Sequence, residues 1–157
     1  MGYAVLLPVW VAFGELKSWS LSTELILMLL LLVWAADIGA YFVGKSLGKN
    51  KLAPSVSPGK TREGLYGGLL SCVLVGLGFA FWFELDGQSL VYLVLLSVVT
   101  GMISVLGDLF ESMLKRHQGM KDSSQLLPGH GGILDRMDSL TAAAPLFVLG
   151  VQFVTLN

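Results

Sequence analysis

A chain of 157 residues with 54% hydrophobic side chains, 13% charged side chains and a mean hydropathy of +0.73 falls well short of the about 25% charged residues of a soluble domain. That deficit excludes the soluble classes and implies an integral membrane protein. The net charge of −1 says nothing about partners by itself; no nucleic-acid partner is expected.

Residues 1–13 are apolar but shorter than the about 20 residues that cross a bilayer, and they lack the basic n-region of a signal peptide. They read as the tail of a helix begun upstream, or as a short re-entrant or interfacial piece, which hints at a truncated chain. Residues 14–24, with Glu15, Lys17 and Glu24, read as a polar linker. The first complete span is expected over residues 21–43, with Asp37 near its end. Residues 44–64 read as a loop carrying Lys45, Lys49, Lys51, Lys60 and Arg62, in which Pro54 and Pro58 break any helix. A second span is expected over residues 65–83, an acidic turn over 84–89, and a third span over 90–110 that holds Asp108. Residues 118–132 form a loop rich in Gly, Ser and Pro. A last helix is expected from about residue 133 to 156, and neighbouring helices can tolerate a kink at Pro145. The expected fold is all-α, a polytopic transmembrane helical bundle of about four full spans plus an N-terminal partial helix, forming one membrane-embedded domain over residues 1–157. The single cysteine, Cys72, allows no intrachain disulfide.

Charge is distributed unevenly. Of ten Lys and Arg, five lie in residues 44–64 and four in residues 111–139. Two spans separate these segments, so both face one side, and the positive-inside rule makes that side the cytoplasm. Residues 107–139 also hold Asp108, Glu111, Asp122, Asp135, Asp138, His117 and His130. A membrane protein that gathers its few charges this way handles a charged ligand.

Several residue patterns carry chemistry, each beside a plainer explanation. Asp37 and Tyr41 share a helix face that Gly44 and Gly48 extend; intramembrane acids are functional by default, although Asp37 could be satisfied by packing or snorkelling. Lys49, Lys51, Lys60 and Arg62 suit polyphosphate but also an ordinary cytoplasmic loop. The run Ser57-Pro58-Gly59-Lys60-Thr61 favours phosphate, because glycine lets the backbone approach an anion. It is not a P-loop, since the first glycine and the spacing are missing. Gly64 and Gly68 are explained by close helix packing. Ser104, Asp108, Glu111 and Lys115 recur at helical spacing on one face, and Asp135 and Asp138 form a second pair that a helix dipole alone would also favour. Hard oxygen ligands beside phosphate suggest Mg²⁺; two histidines without a nearby cysteine make zinc a poor match. His130, within Pro128-Gly129-His130-Gly131-Gly132, suits a contact to phosphate or to a leaving group, or is a loop histidine bonded to backbone. His117, at a helix end, reads as structural.

The pattern Ser112-x-x-Lys115-Arg116, Lys121-Asp122 and Pro128-x-His130-Gly131-Gly132-x-x-Asp135-Arg136-x-Asp138 resembles the signature of CDP-diacylglycerol synthases, the phosphatidate cytidylyltransferases. Asp37, Tyr41, Gly44, Lys51-Leu52-Ala53-Pro54 and Ser57 to Gly64 also resemble bacterial members. The resemblance covers nearly the whole chain and corresponds to the C-terminal half of the family. It implies that CTP and phosphatidate give CDP-diacylglycerol and pyrophosphate at a Mg²⁺-dependent two-cation centre, in a homodimer of the inner (plasma) membrane with its active site facing the cytoplasm. On that reading Asp108, Asp135 and Asp138 are metal ligands and, with His130 and Lys121, catalytic residues. The substrate-binding set is Asp37, Ser57, Lys60, Arg62, Lys115, Arg116, Gly131, Gly132 and Arg136. The rival readings are an ion-coupled transporter, with Asp37 and Asp108 as relay carboxylates, and a cytidylyltransferase acting on another lipid phosphate.

Overall fold

A computed structural model describes residues 2–117 and 138–154. Its elements are the helices α1 (Gly2–Ser18) and α2 (Ser22–Leu47), the strands β1 (Lys51–Ala53) and β2 (Ser57–Thr61), and the helices α3 (Arg62–Trp82), α4 (Gly87–His117) and α5 (Asp138–Val151). Helices dominate, as composition predicts, and α2, α3 and α4 are long and apolar enough to cross a membrane. Of the expected last helix over residues 133–156, α5 covers Asp138–Val151, and residues 133–137 and 155–156 lie outside the described residues.

The expected N-terminal partial helix is present as α1, while the linker expected over residues 14–24 is corrected. One helix, α1, runs through residues 14–18, because Val9, Ala12 and Leu16 are buried along one face while Glu15 and Lys17 point outward. Only a tight turn separates α1 from α2, with Trp19 N donating to Leu16 O at 3.2 Å and Ser22 N donating to Trp19 O at 3.2 Å. Helix α2 also outruns its expected end at residue 43, and α4 continues past residue 110 to His117.

The loop expected over residues 44–64 holds a hairpin. β1 and β2 pair antiparallel, Lys51 with Thr61 and Ala53 with Ser57. Pro54 supplies the fixed φ of a tight turn, closed by Val56 N donating to Ala53 O at 3.2 Å. Pro58 has no N–H to give a ladder and lies on this short exposed pair, where strand prolines are tolerated.

Helices α2 and α3 pack through small residues, as Gly64 and Gly68 predict. A Cβ on Gly64 would stand 2.7 Å from Ala40 O, and one on Gly68 would stand 2.6 Å from Ala36 O. In lipid, where apolar burial gives little drive for helix association, such backbone approach is a main source of contact energy. The core joins Leu25, Met28, Leu29 and Leu32 of α2 to Leu93 of α4 and Phe147 of α5. The outer faces stay apolar, with Leu70, Leu74, Phe81, Leu95 and Leu106 exposed, which suits acyl chains rather than water.

The turn between α3 and α4 ends its helix with Glu84 at φ 53° and Leu85 N donating to Ala80 O at 2.9 Å. This is a Schellman-type closure. At the end of α5, Tyr92 Oη donates to Gly150 O at 3.2 Å, and Gly150 lies against Leu96. The end of α5 therefore meets the first third of α4, and the two helices run antiparallel.

Candidate functional site

The hairpin, α2 and α4 converge on three charged side chains. Lys60 of β2 forms an ion pair with Asp108 of α4, across 48 residues of chain. Both side chains are 26% exposed, which places the pair at the rim of the bundle. Asp108 also accepts from Ser112 Oγ, one turn later, at 3.3 Å. Asp37 of α2 lies within electrostatic reach of both Lys60 and Asp108. The Lys60 ammonium nitrogen is shielded from solvent and has no hydrogen-bond partner among the described residues beyond its ion-pair contact. An ammonium carries three N–H donors, so Lys60 retains donors for another acceptor.

Asp37 and Lys60 border a cavity of about 390 Å³. Asp37, Tyr41, Ser57, Lys60 and Thr61 give it polar walls, and Ala40, Leu52, Leu65 and Val105 give it apolar ones. Tyr41 is 60% exposed, and its hydroxyl accepts from Lys45 Nζ at 3.4 Å. The cavity thus combines charged and apolar walls.

Local sequence builds this arrangement. Thr61 caps α3, its hydroxyl accepting from Gly64 N at 3.1 Å, and β2 therefore passes directly into the helix. Glu63, in the first turn of α3, reaches back to the start of the hairpin. Its carboxylate accepts from Lys49 N at 3.2 Å, from Asn50 N at 3.2 and 3.3 Å, and from Asn50 Nδ2 at 2.7 Å. A carboxylate there is also favoured by the helix dipole. Glu63 thereby ties the hairpin that carries Ser57 and Lys60 to the α3 terminus. Glu63→Ala is expected to speed tryptic cleavage after Lys49 and Lys51 by about ten-fold, the loss of roughly one net charge-assisted hydrogen bond. An unchanged cleavage rate would show that the hairpin holds without it.

The structure brings together four of the residues singled out in the sequence: Asp37, Ser57, Lys60 and Asp108. Arg62 is exposed at the start of α3 and does not line the cavity. Lys115 pairs with Glu111 at 3.1 Å along α4, and Arg116 is exposed in the last turn with His117, where cations complement the helix dipole. Lys121, His130, Gly131, Gly132, Asp135 and Arg136 lie outside the described residues. Asp138 opens α5. Twelve residues separate Leu96 from Asp108 and Asp138 from Gly150, equal rises of about 18 Å. The first residue of α5 therefore stands roughly level with Asp108.

Sequence reasoning gave no role to Ser112 or Glu63 and missed the capping by Thr61. A threonine followed by a first-turn glutamate and an apolar run was the available signal. It also missed Thr100, which with Ser104 is fully buried on α4 with a hydroxyl lacking a partner among the described residues.

The donor set is oxygen throughout. Among the described residues no three His, Cys, Asp or Glu side chains cluster as a closed metal cage. Mg²⁺ takes one or two carboxylates and fills its sphere with water and phosphate oxygens. Asp108, Asp37 and the Ser112 hydroxyl fit such a cation; a structural zinc site would need softer and more numerous ligands.

The chain matches the model of the Cytidylyltransferase family over residues 1–154. It is 52% identical over 147 residues to a phosphatidate cytidylyltransferase of Pseudomonas aeruginosa, covering 94% of this chain and 54% of the relative. It is 55% identical over 133 residues to that of Haemophilus influenzae, covering 83% and 46%, and 50% identical over 116 residues to that of Bacillus subtilis, covering 72% and 42%. The chain spans about half the length of the curated relatives it matches.

Proposed function

The chain belongs to the cytidylyltransferase family, and from that premise we propose that it provides the membrane-embedded site at which CTP and phosphatidate give CDP-diacylglycerol and pyrophosphate. The observation that carries this reading is the cavity whose charged end is Lys60 and Asp37, with Asp108 paired to Lys60 behind it, and whose flank is Leu52, Leu65 and Val105. With a divalent cation offsetting the two acids, such a cavity suits an amphiphile with an anionic head, which enters from the bilayer while the nucleotide arrives from water.

The chemistry asks little covalent work of the protein. A phosphate oxygen of the lipid attacks the α-phosphorus of CTP, the new P–O bond forms, and the bond to the β-phosphate oxygen breaks with departure of pyrophosphate. The nucleophile is already anionic, so no serine–histidine pair is needed. Catalysis is positioning and charge neutralisation. Lys60 draws the lipid phosphate to the cavity's charged end, with Ser57 beside it. Lys115, Arg116, Lys121 and Arg136 are assigned to the triphosphate, and His130 with the Gly131 and Gly132 backbone to the departing pyrophosphate. Asp108, Asp135 and Asp138 would hold Mg²⁺ in a two-cation centre, supplying neutralisation of the triphosphate and of the leaving group. The basic segments favour a site on the cytoplasmic face of the bacterial inner membrane, and a homodimer is the working unit of this reading.

The test is transfer of label from [α-³²P]CTP into chloroform-extractable lipid. It uses nanodiscs containing phosphatidate, with the chain assayed alone and in place of the matching residues of the Pseudomonas aeruginosa relative. Equal release of pyrophosphate, abolished by EDTA and restored by Mg²⁺, is expected. Ion flux in liposomes without nucleotide turnover would overturn the reading in favour of a transporter.

A further inference from the structure

Asp108 is the one described carboxylate that both belongs to the metal set and is already neutralised, and its partner is a residue assigned to the substrate. Lys60 and Asp108 are in contact, and Asp37 feels both charges. Together the three leave one net negative charge in a half-buried setting. A divalent cation arriving at Asp108 meets the Lys60 ammonium at the same carboxylate, and like charges at contact range oppose each other strongly where solvent screening is poor. A phosphate monoester brings close to two negative charges and gives the ammonium an alternative partner. The donors that Lys60 leaves unbonded are available to it, beside the cavity that Ser57 and Thr61 also line.

We propose that Lys60 holds the place of the divalent cation at Asp108 and vacates it for the lipid phosphate, so that cation and lipid phosphate bind cooperatively. The inference rests on the reading of the site as one for a lipid phosphate and a divalent cation. It adds an order to the site: without the lipid, the lysine blocks the metal position, and the metal cannot be held ready for nucleotide that has no acceptor. Linkage makes the effect reciprocal, because whatever factor the phosphate lends to the cation, the cation lends to the phosphate.

The experiment needs no nucleotide and no turnover. Mn²⁺ binding is read by electron paramagnetic resonance on the protein in phosphatidylcholine nanodiscs with and without dioleoyl phosphatidate. The signal is taken as the difference from Asp108→Asn in identical discs, which removes cation held by the lipid surface itself. In the unaltered protein, phosphatidate is expected to tighten Mn²⁺ by about ten-fold or more, within the usual range of coupling between sites. Lys60→Met is expected to bind Mn²⁺ about ten-fold more tightly than the unaltered protein in the absence of phosphatidate, and to gain little when it is added. Lys60→Gln repeats the measurement should the methionine variant fail to fold, as judged by its melting transition. A Lys60 variant that binds Mn²⁺ no more tightly than the unaltered protein overturns the proposal, as does equal tightening by phosphatidate with and without Lys60. Cytidylyl transfer without this coupling sinks the inference alone; coupling without transfer sinks the enzymatic reading alone.

Discussion

Asp108→Asn is expected to lower turnover by at least about 10²-fold, the usual cost of removing one preorganised electrostatic group. The substitution keeps the volume of the side chain and leaves an amide oxygen to accept from Ser112, whose hydroxyl now lies 3.3 Å from the carboxylate. What it removes is the charge, and with it the partner of Lys60 and a hard ligand for Mg²⁺. The fold has no such dependence on this residue. Helix α4 is anchored by Leu93, Leu96, Ser97 and Gly101, more than one turn away, and the ion pair itself is partly exposed, where such pairs contribute roughly 0–1 kcal/mol. The melting transition should therefore move little while activity falls. Glu111→Gln is the matched comparison. It lies one turn on, pairs with Lys115 along the same helix, and should change turnover by no more than a few-fold, since helix pairs of this spacing contribute about 0.3–0.5 kcal/mol. Near-normal turnover of Asp108→Asn at saturating Mg²⁺ would remove Asp108 from the mechanism.

The contrast between these two acids also shows how far the sequence is readable. Ser104, Asp108, Glu111 and Lys115 recur at helical spacing, and that pattern already implied that α4 continues beyond the apolar run ending at Phe110. The spans themselves were legible because apolar runs of this length have little alternative to a membrane helix. The polar stretch after Phe13 misled for the opposite reason. Glu15 and Lys17 suggested a linker, yet Leu16 between them is fully buried, and a helix can carry polar residues on its outer face.

The hairpin was harder to foresee. Pro54 and Pro58 correctly ruled out a helix, but nothing in a three-residue and a five-residue strand shows the alternating apolar pattern that marks pairing. What fixes the hairpin is non-local: Glu63 binds Lys49 and Asn50, 14 and 13 residues back. The meeting of Lys60 with Asp108 is less legible still, because each residue is plausible in its own segment and no periodicity relates them. Sequence put Lys60 among the phosphate ligands and Asp108 among the metal ligands. It gave no hint that each is the other's partner.

That partnership sets the expectation for the second variant. Lys60→Met should lower turnover by about 10²-fold, with the larger part of the loss appearing in apparent affinity for phosphatidate. Methionine preserves much of the length and apolar stem of lysine but offers no N–H to a phosphate, and a charge-assisted hydrogen bond is about twice as strong as a neutral one. Lys60→Arg should recover part of the loss, since the charge returns, but not all of it. A planar guanidinium differs from a compact ammonium, and Lys60 stands where Thr61, Gly64 and Asp37 already crowd the cavity wall. The decisive feature is the sign of two effects in one variant. General damage to the hairpin would weaken both cation binding and turnover. Loss of a counter-ion that yields to substrate strengthens cation binding at Asp108 while turnover falls, because the carboxylate is freed at the same stroke that the lipid phosphate loses its anchor. A Lys60→Met protein that turns over normally in phosphatidate at low concentration would leave the ion pair a structural contact only.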